Sequence, residues 1–271
     1  MVTTNNDTTQ KTYKKLSIQV SLNGLSFLIY NTLDSKVEKI KHFWFVKNEP
    51  LEEEISAVLS TELLKEYMLF DSVNVLHTNA LNTFVPKAMY KPELHNEYLK
   101  NSIKTFPSDV FSVDELPNYD CMNVYVPYMN INNILIEKLG SFTYKNSSTI
   151  LVSKLLDISK NNENKQVFIH FHDKNFEIIA VQNQKLLLFN SFEYENEHDF
   201  VYYLLFTLEQ LQLNPEKIEV ICLGNITEED VIFKSGFTFV RNFSLFDASV
   251  LAENTCISTE IARKNFVLLN V

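Results

Sequence analysis

The chain has 271 residues, of which 45% are hydrophobic and 13% aromatic, including 21 Phe and 12 Tyr. That much apolar surface excludes intrinsic disorder over most of the length, and at roughly 150 residues per domain the length suits two domains. A net charge of −10 and a pI near 5.1 repel phosphate backbones and anionic lipid, which excludes a general nucleic-acid or membrane-surface role.

Residues 1–14 are polar and are expected to form a disordered tail; they contain no apolar stretch of the kind that opens a signal peptide. No apolar run approaches the roughly 18 residues of a membrane span, so the expected location is the cytoplasm. Leu16, Ile18, Val20 and Leu22 alternate as in a half-buried strand, and Asn23-Gly24 signals a two-residue hairpin because both residues tolerate positive φ. Strands over 25–30 and 40–46 follow. The Lys-rich stretch 36–41, diluted by Glu38, reads as a solvated strand edge. Pro50 opens a helix predicted to run to about Tyr67, with Glu52, Glu53 and Glu54 at its positive end. Its apolar positions Leu51, Ile55, Val58, Leu59, Leu63 and Leu64 keep helical spacing.

A strand is then predicted over 72–77, a helix from Pro92 to about Lys104, a looser segment over 106–120 and a strand over 122–128. A helix over 132–139 ends at Gly140, a natural C-cap. Ser147 or Ser148 caps a further helix to about Ile158. Residues 160–165 (KNNENK) are short, polar and aperiodic, and mark the boundary between lobes expected at 15–160 and 161–271.

The second half repeats the first. Residues 167–182 (VFIHFHDKNFEIIAVQ) superpose without a gap on 16–31 (LSIQVSLNGLSFLIYN) at an offset of 151. Strands are predicted at 167–171, 176–181 and 185–189, then a helix over 197–213 capped by Asn196 and a strand over 217–224. Further along come a helix from Thr227 and Asp230 stopping near Gly236, a strand over 238–241, a helix over 247–253 and a last strand over 266–271. Each half therefore reads β-β-β-α-β with further α/β elements.

Two such lobes in tandem resemble the ribonuclease H-like superfold of actin, the heat-shock ATPases and the sugar kinases. Taken whole, the chain resembles an uncharacterised Bacteroidetes family with an actin-like ATPase fold and no assigned activity. The resemblance implies a nucleotide cleft between the lobes, with the first hairpin of each lobe gripping phosphates. It also implies an Asp-x-Gly signature in the first hairpin and a second Asp with a glycine run in the other. Here Ser21 stands where the first Asp is expected, with Asn23 and Gly24 after it. The second hairpin carries His172, Asp173, Lys174 and Asn175 and no glycine. The adenosine-holding Gly-Gly of the second lobe is reduced to Gly224-Asn225.

Only four glycines occur, Gly24, Gly140, Gly224 and Gly236, which excludes a P-loop or a GxGxxG fingerprint. Phosphoryl transfer depends on Mg²⁺ and a backbone cradle, so the expectation is a retained fold with lost ATPase chemistry. No catalytic residue and no cofactor are expected, with ATP and Mg²⁺ disfavoured. If the cleft holds a nucleotide or small anion, as a sensor or weak ATPase would, the contacts are Ser21, Asn23, Gly24, His172, Lys174, Asn175 and Gly224. The alternative favoured by the degenerate loops is a non-catalytic adaptor for an unknown protein partner, with the aromatics of 119–128 as the expected surface; homodimerisation through an edge strand fits either.

His170 and His172 lie two apart on a strand and share a face, which has metal-ligand character. The third ligand would have to come from elsewhere, His77, His95 or His198 among the choices, and nothing in the spacing demands it. The expectation is two imidazoles on a polar sheet face and no metal. Cys121, Cys222 and Cys256 have no framework spacing and suit a reducing compartment, the first two as buried thiols. Phe200, Tyr202, Tyr203 and Phe206 read as a buried helix layer, and the acidic runs 193–199 and 228–230 as helix N-terminal charge.

Overall fold

A computed structural model describes residues 11–46, 49–63, 70–100, 103–106 and 108–271. Most of the expected tail, the last turn of the helix predicted to Tyr67 (from Leu64) and part of the helix predicted to Lys104 lie outside the described residues.

The chain opens with three antiparallel strands, β1 (Lys14–Val20), β2 (Gly24–Asn31) and β3 (Lys36–Trp44). Pairing of Leu16 with Ile29, Ile18 with Phe27 and Val20 with Leu25 puts all six side chains on one buried face. On the edge strand β3, Lys36, Lys39 and Lys41 form exposed ion pairs with Asp34 and Glu62, and such charges discourage pairing with another chain. Helix α1 (Leu51–Val58) follows Pro50 with three glutamates in its first turn, then continues as a π-helical turn over Leu59–Leu63. Strand β4 (Ser72–His77) runs parallel to β1. A small three-stranded sheet of β5 (Asn82–Pro86), β6 (Ser112–Glu115) and β7 (Cys121–Tyr125) follows, with the short helix α2 (His95–Leu99) packed on it. Helix α3 (Met129–Leu139), strand β8 (Thr143–Asn146) and helix α4 (Ser147–Ile158) complete the first half.

The second half runs β9 (Gln166–Phe171), β10 (Asn175–Gln182), β11 (Lys185–Glu193), α5 (Glu197–Gln210), β12 (Glu219–Gly224), α6 (Val231–Phe239) and β13 (Asn242–Leu245). Three short helices close it: α7 (Ser249–Thr255), α8 (Thr259–Lys264) and α9 (Phe266–Leu269). The two large sheets have the orders β3-β2-β1-β4-β8 and β11-β10-β9-β12-β13, with the last two strands parallel to the first strand of each half. The repeat extends to irregularities. The β2–β3 ladder slips at Ile29/Tyr30 and the β10–β11 ladder at Ala180/Val181, again 151 residues apart.

Each sheet packs its outer face on helices. Leu16, Ile18, Phe27 and Val75 meet Ile55, Leu59, Ile131 and Leu135, and Val167, Ile169, Phe176 and Val220 meet Phe200, Leu204 and Phe233. The inner layer is exchanged between halves. Helix α4 belongs to the first half in sequence but packs Leu151, Val152, Leu155 and Leu156 against Phe168, Ile179 and Val181 of the second sheet. Helix α9, from the end of the chain, packs back on β1 and β2.

Several expectations are corrected. Asn23-Gly24 does not form a two-residue turn: the loop is 21–23, neither residue has positive φ, and Gly24 lies within β2, where a Cβ would come 2.5 Å from the Phe43 carbonyl oxygen. Strands β6 and β8 were not expected, and the strand read at 238–241 lies at Asn242–Leu245 instead. Gly236 does not stop a helix but sits inside α6, where its missing side chain makes room for the Phe243 ring. The cap of α4 is Asn146, whose side chain accepts from Ser148 N–H at 2.9 Å. The expected last strand is helix α9, because a short apolar run of fully buried residues has no period that separates strand from helix.

Gly224 closes β12 with φ +89°, and a Cβ there would lie 2.3 Å from the Phe171 carbonyl oxygen and 2.9 Å from His170 Cδ2. Gly224→Ala is expected to cost about 3 kcal/mol, combining backbone strain with a clash against β9. Urea unfolding measures it, and a loss within error of zero would contradict this packing.

Candidate functional site

The expected cleft contacts fall into two groups, one at the tip of each first hairpin, with Gly224 beside the second at the end of β12. At the first, Ser21 N–H donates to the Gly24 carbonyl at 2.9 Å, and the Ser21 hydroxyl accepts from Asn23 N–H at 3.2 Å. The hydroxyl is used within its own turn, and Gly24 is buried in the strand. At the second, His172 N–H donates to the Asn175 carbonyl at 2.9 Å, the same bond 151 residues later. Lys174 is exposed, its carbonyl accepting from Tyr194 N–H, and the Asn175 amide reaches Ser191 Oγ at 3.5 Å. Asp173 accepts from the Asn225 amide at 3.0 Å. Among the described residues, no hydrogen bond or ion pair joins the two groups.

The polar centre between the lobes is built from residues behind the second hairpin. Register places Glu177 of β10 directly opposite His170 of β9. Glu177 Oε2 lies 2.9 Å from His170 Nδ1 and 3.3 Å from His172 Nε2, while its Oε1 accepts from the Ser148 hydroxyl of α4 at 2.5 Å. His170, Glu177 and Ser148 are buried and His172 is 18% exposed at its side chain. Burial favours the neutral acid of Glu177, but hydrogen bonds from both imidazoles outweigh it and hold the carboxyl well below the usual range. Burial and the neighbouring His172 push His170 down, against the pull of Glu177, so His170 is a neutral ring donating through Nδ1–H. No lysine or arginine pairs with Glu177 among the described residues.

On the other side of the same helix terminus, Asp114 of β6 accepts from Asn146 N–H at 2.9 Å, the Thr149 hydroxyl at 2.7 Å and the Tyr125 hydroxyl at 3.2 Å. Burial raises its pKa. The first turn of α4 thus holds one carboxylate from each half, where the positive end of the helix dipole favours negative charge.

His77, the first-half counterpart of Gly224 at the end of β4, is fully buried. Its Nε2–H donates to Asn132 Oδ1 at 2.9 Å and its Nδ1 accepts from Tyr128 N–H at 3.2 Å. Burial pushes its pKa down to about 4. Both nitrogens are satisfied in the neutral ring, so His77 is no ligand to the His170 cluster; nor do His95, bonded to Tyr90, and the exposed His198 join it. The expected partner surface at 119–128 is consumed internally: Tyr125 is buried, Tyr128 packs on His77 and Tyr119 bonds Asp157. Conversely, Tyr202 and Phe206, read as part of a buried layer, stack on each other on the outside of α5. Burial raises the thiols of Cys121, to about 11, and of Cys222, which removes thiolate chemistry from both. Glu177 was missed in sequence because a lone Glu in an apolar run carries no signal; only the hairpin register, readable from the turn at 172–174, places it opposite His170.

A family model described as a protein of unknown function, DUF3822, matches residues 3–243. No curated protein matches the sequence. Among solved structures, a Bacteroides thetaiotaomicron protein with an actin-like ATPase fold and unknown function is 19% identical, each chain covering 98% of the other, with a TM-score of 0.81. A chain of the PilM–PilN type IV pilus biogenesis complex is 10% identical over 94% of this chain and 96% of that one, at a TM-score of 0.61. The ethanolamine utilization protein EutJ of Carboxydothermus hydrogenoformans is 9% identical over 95% and 90%, at 0.50. The fold is therefore the actin-like ATPase fold, as the tandem lobes implied.

Two outcomes are expected. Ser148→Ala leaves a buried carboxylate oxygen without its donor and is expected to cost about 1–3 kcal/mol in urea unfolding, whereas an unchanged midpoint would show the link between halves to be idle. For His77, the folded pKa lies below the unfolded value of 6.5, so its stabilisation is complete above pH 6.5 and is lost as pH falls toward 4. Between pH 7.5 and 4.5 the wild type should lose about 2–3 kcal/mol more than His77→Gln, and equal losses would refute the assignment.

Proposed function

The chain belongs to the DUF3822 family of unknown function, and from that premise we propose that it is a non-catalytic adaptor built on an actin-like ATPase fold. One observation carries this reading: both turns that would cradle phosphates, 21–23 and 172–174, lack glycine, and the Ser21 and His172 N–H groups that open them are each used across their own turn, by the Gly24 and Asn175 carbonyls. Triphosphate binding needs backbone N–H groups free to converge on oxygens, which side chains at those turns obstruct.

Two further features support it. Two concavities of the described surface, of about 260 and 290 Å³, lie along α4 and beside α7, and none of the expected cleft contacts lines either. The helices covering the second sheet leave large apolar side chains in solvent: Tyr202 at 62% and Phe206 at 44% on α5, with Val231, Phe237 and Phe239 on α6. Exposed aromatics of this size are typical of partner surfaces. PilM, a fold relative, is found in a complex with PilN.

Calorimetric titration with ATP–Mg²⁺ and with ADP is expected to give only millimolar or weaker binding, and a phosphate-release assay no turnover. Micromolar affinity or measurable hydrolysis would overturn the adaptor reading in favour of a nucleotide sensor or weak ATPase. For the partner itself, the Tyr202→Ala/Phe206→Ala double variant should lose a stoichiometric partner that the wild type retains from native extract.

A further inference from the structure

The His170–His172–Glu177 cluster is the one place where three metal-ligating groups converge among the described residues, their ligand atoms all within 4.8 Å of one another. Strand spacing alone left the third group unspecified. The β9–β10 register supplies it by pairing Glu177 with His170, while the two-residue spacing turns His172 to the same face. We propose that His170 Nδ1, His172 Nε2 and Glu177 Oε2 form a mononuclear site for a zinc-class divalent cation, with a fourth position left for water.

Geometry, charge and support all favour this assignment. In a tetrahedral site with bonds of about 2.0–2.2 Å, ligand atoms lie about 3.3 Å apart. The carboxylate oxygen is already 2.9 and 3.3 Å from the two nitrogens, and all three ligand atoms lie within 4.8 Å of one another, so a cation would draw existing neighbours together rather than recruit a distant group. Two imidazoles and one carboxylate are a borderline-soft set that suits zinc and its neighbours over magnesium or calcium, which take oxygen ligands. The buried Glu177 carboxylate has no lysine or arginine partner among the described residues, and a cation would supply the missing positive charge. On binding, the nitrogen facing Glu177 gives up its proton, so His170 takes the tautomer protonated at Nε2 and His172 the one protonated at Nδ1, with no redox step.

The surrounding shell is also of the kind that holds ligands in place. The Ser148 hydroxyl fixes the second carboxylate oxygen. His172, partly exposed, provides an entry route from solvent. The site bridges the halves, because Ser148 comes from the first and the three ligands from the second.

The test uses the full chain, free of any polyhistidine tag and stripped with chelator. Zinc titration should give one site per chain with a raised thermal midpoint. Cobalt substitution should give the intense visible bands of a low-coordinate ion rather than the faint spectrum of six-coordinate cobalt. Glu177→Gln and His172→Gln should weaken zinc binding by more than about 100-fold, and Ser148→Ala, which keeps all three ligands, by roughly tenfold. His198→Gln, altering an exposed histidine outside the cluster, should bind as the wild type does. Wild-type binding no tighter than that of Glu177→Gln, a six-coordinate cobalt spectrum, or loss of binding in His198→Gln would overturn the site. The cobalt spectrum of the wild type decides the matter even if the ligand variants fail to fold. The outcome is independent of the nucleotide titrations, so either reading can fail alone.

Discussion

The arrangement of the two halves depends on the N-terminus of helix α4. Its first turn is capped by Asn146 and accommodates two buried carboxylates, Asp114 from the small sheet of the first half and Glu177 from the central hairpin of the second. A buried carboxylate is tolerated only where its oxygens are satisfied, and here hydroxyls, a backbone N–H and imidazoles satisfy them. The apolar body of the same helix then lies on the second sheet. One helix therefore carries both polar and apolar contacts between the halves, and α9 returns the exchange by packing on β1 and β2.

The repeat shows how the two lobes have diverged on one backbone. Hairpin lengths, the turn hydrogen bond and the ladder slip recur at the same offset, yet the inward polar positions differ. Gln19, Ser21 and Ser26 of the first half correspond to His170, His172 and Glu177 of the second. Ser26 bonds His42 at 2.6 Å on the neighbouring strand β3, whereas Glu177 gathers two imidazoles and reaches across to α4. Backbone geometry is retained because the alternating apolar residues on the opposite face, Leu16, Ile18 and Val20 against Val167, Ile169 and Phe171, bury the same way in both sheets. The inner face differs between the halves: in the second it packs Phe168, Ile179 and Val181 on α4 and places the buried His170 and Glu177 beside them.

Legibility in sequence followed the strength of local signals. Strand 72–77, the Asn196 cap of α5 and the end of α3 at Gly140 were readable because period, cap and stop coincide there. Strands β6 and β8 are four residues each and too short to show alternation. Gly236 and Gly24 look like punctuation in sequence and act instead through space, making room for Phe243 and for the Phe43 carbonyl. The aromatic stripe of α5 read as wholly buried because helical spacing does not say how wide the buried face is; Phe200 lies inside and Tyr202 outside.

The sequence by itself determined the class of fold, the tandem lobes and the scarcity of glycine at the tips of the two first hairpins, since all three rest on periodicities and residue types read directly along the chain. Only the tertiary structure decided that Ser148 reaches Glu177 from the other half, that the final apolar run is a helix and that Tyr128 is spent against His77. Those depend on which surface covers a given face, and that is settled by contacts between residues distant in the chain, where local propensity carries no information.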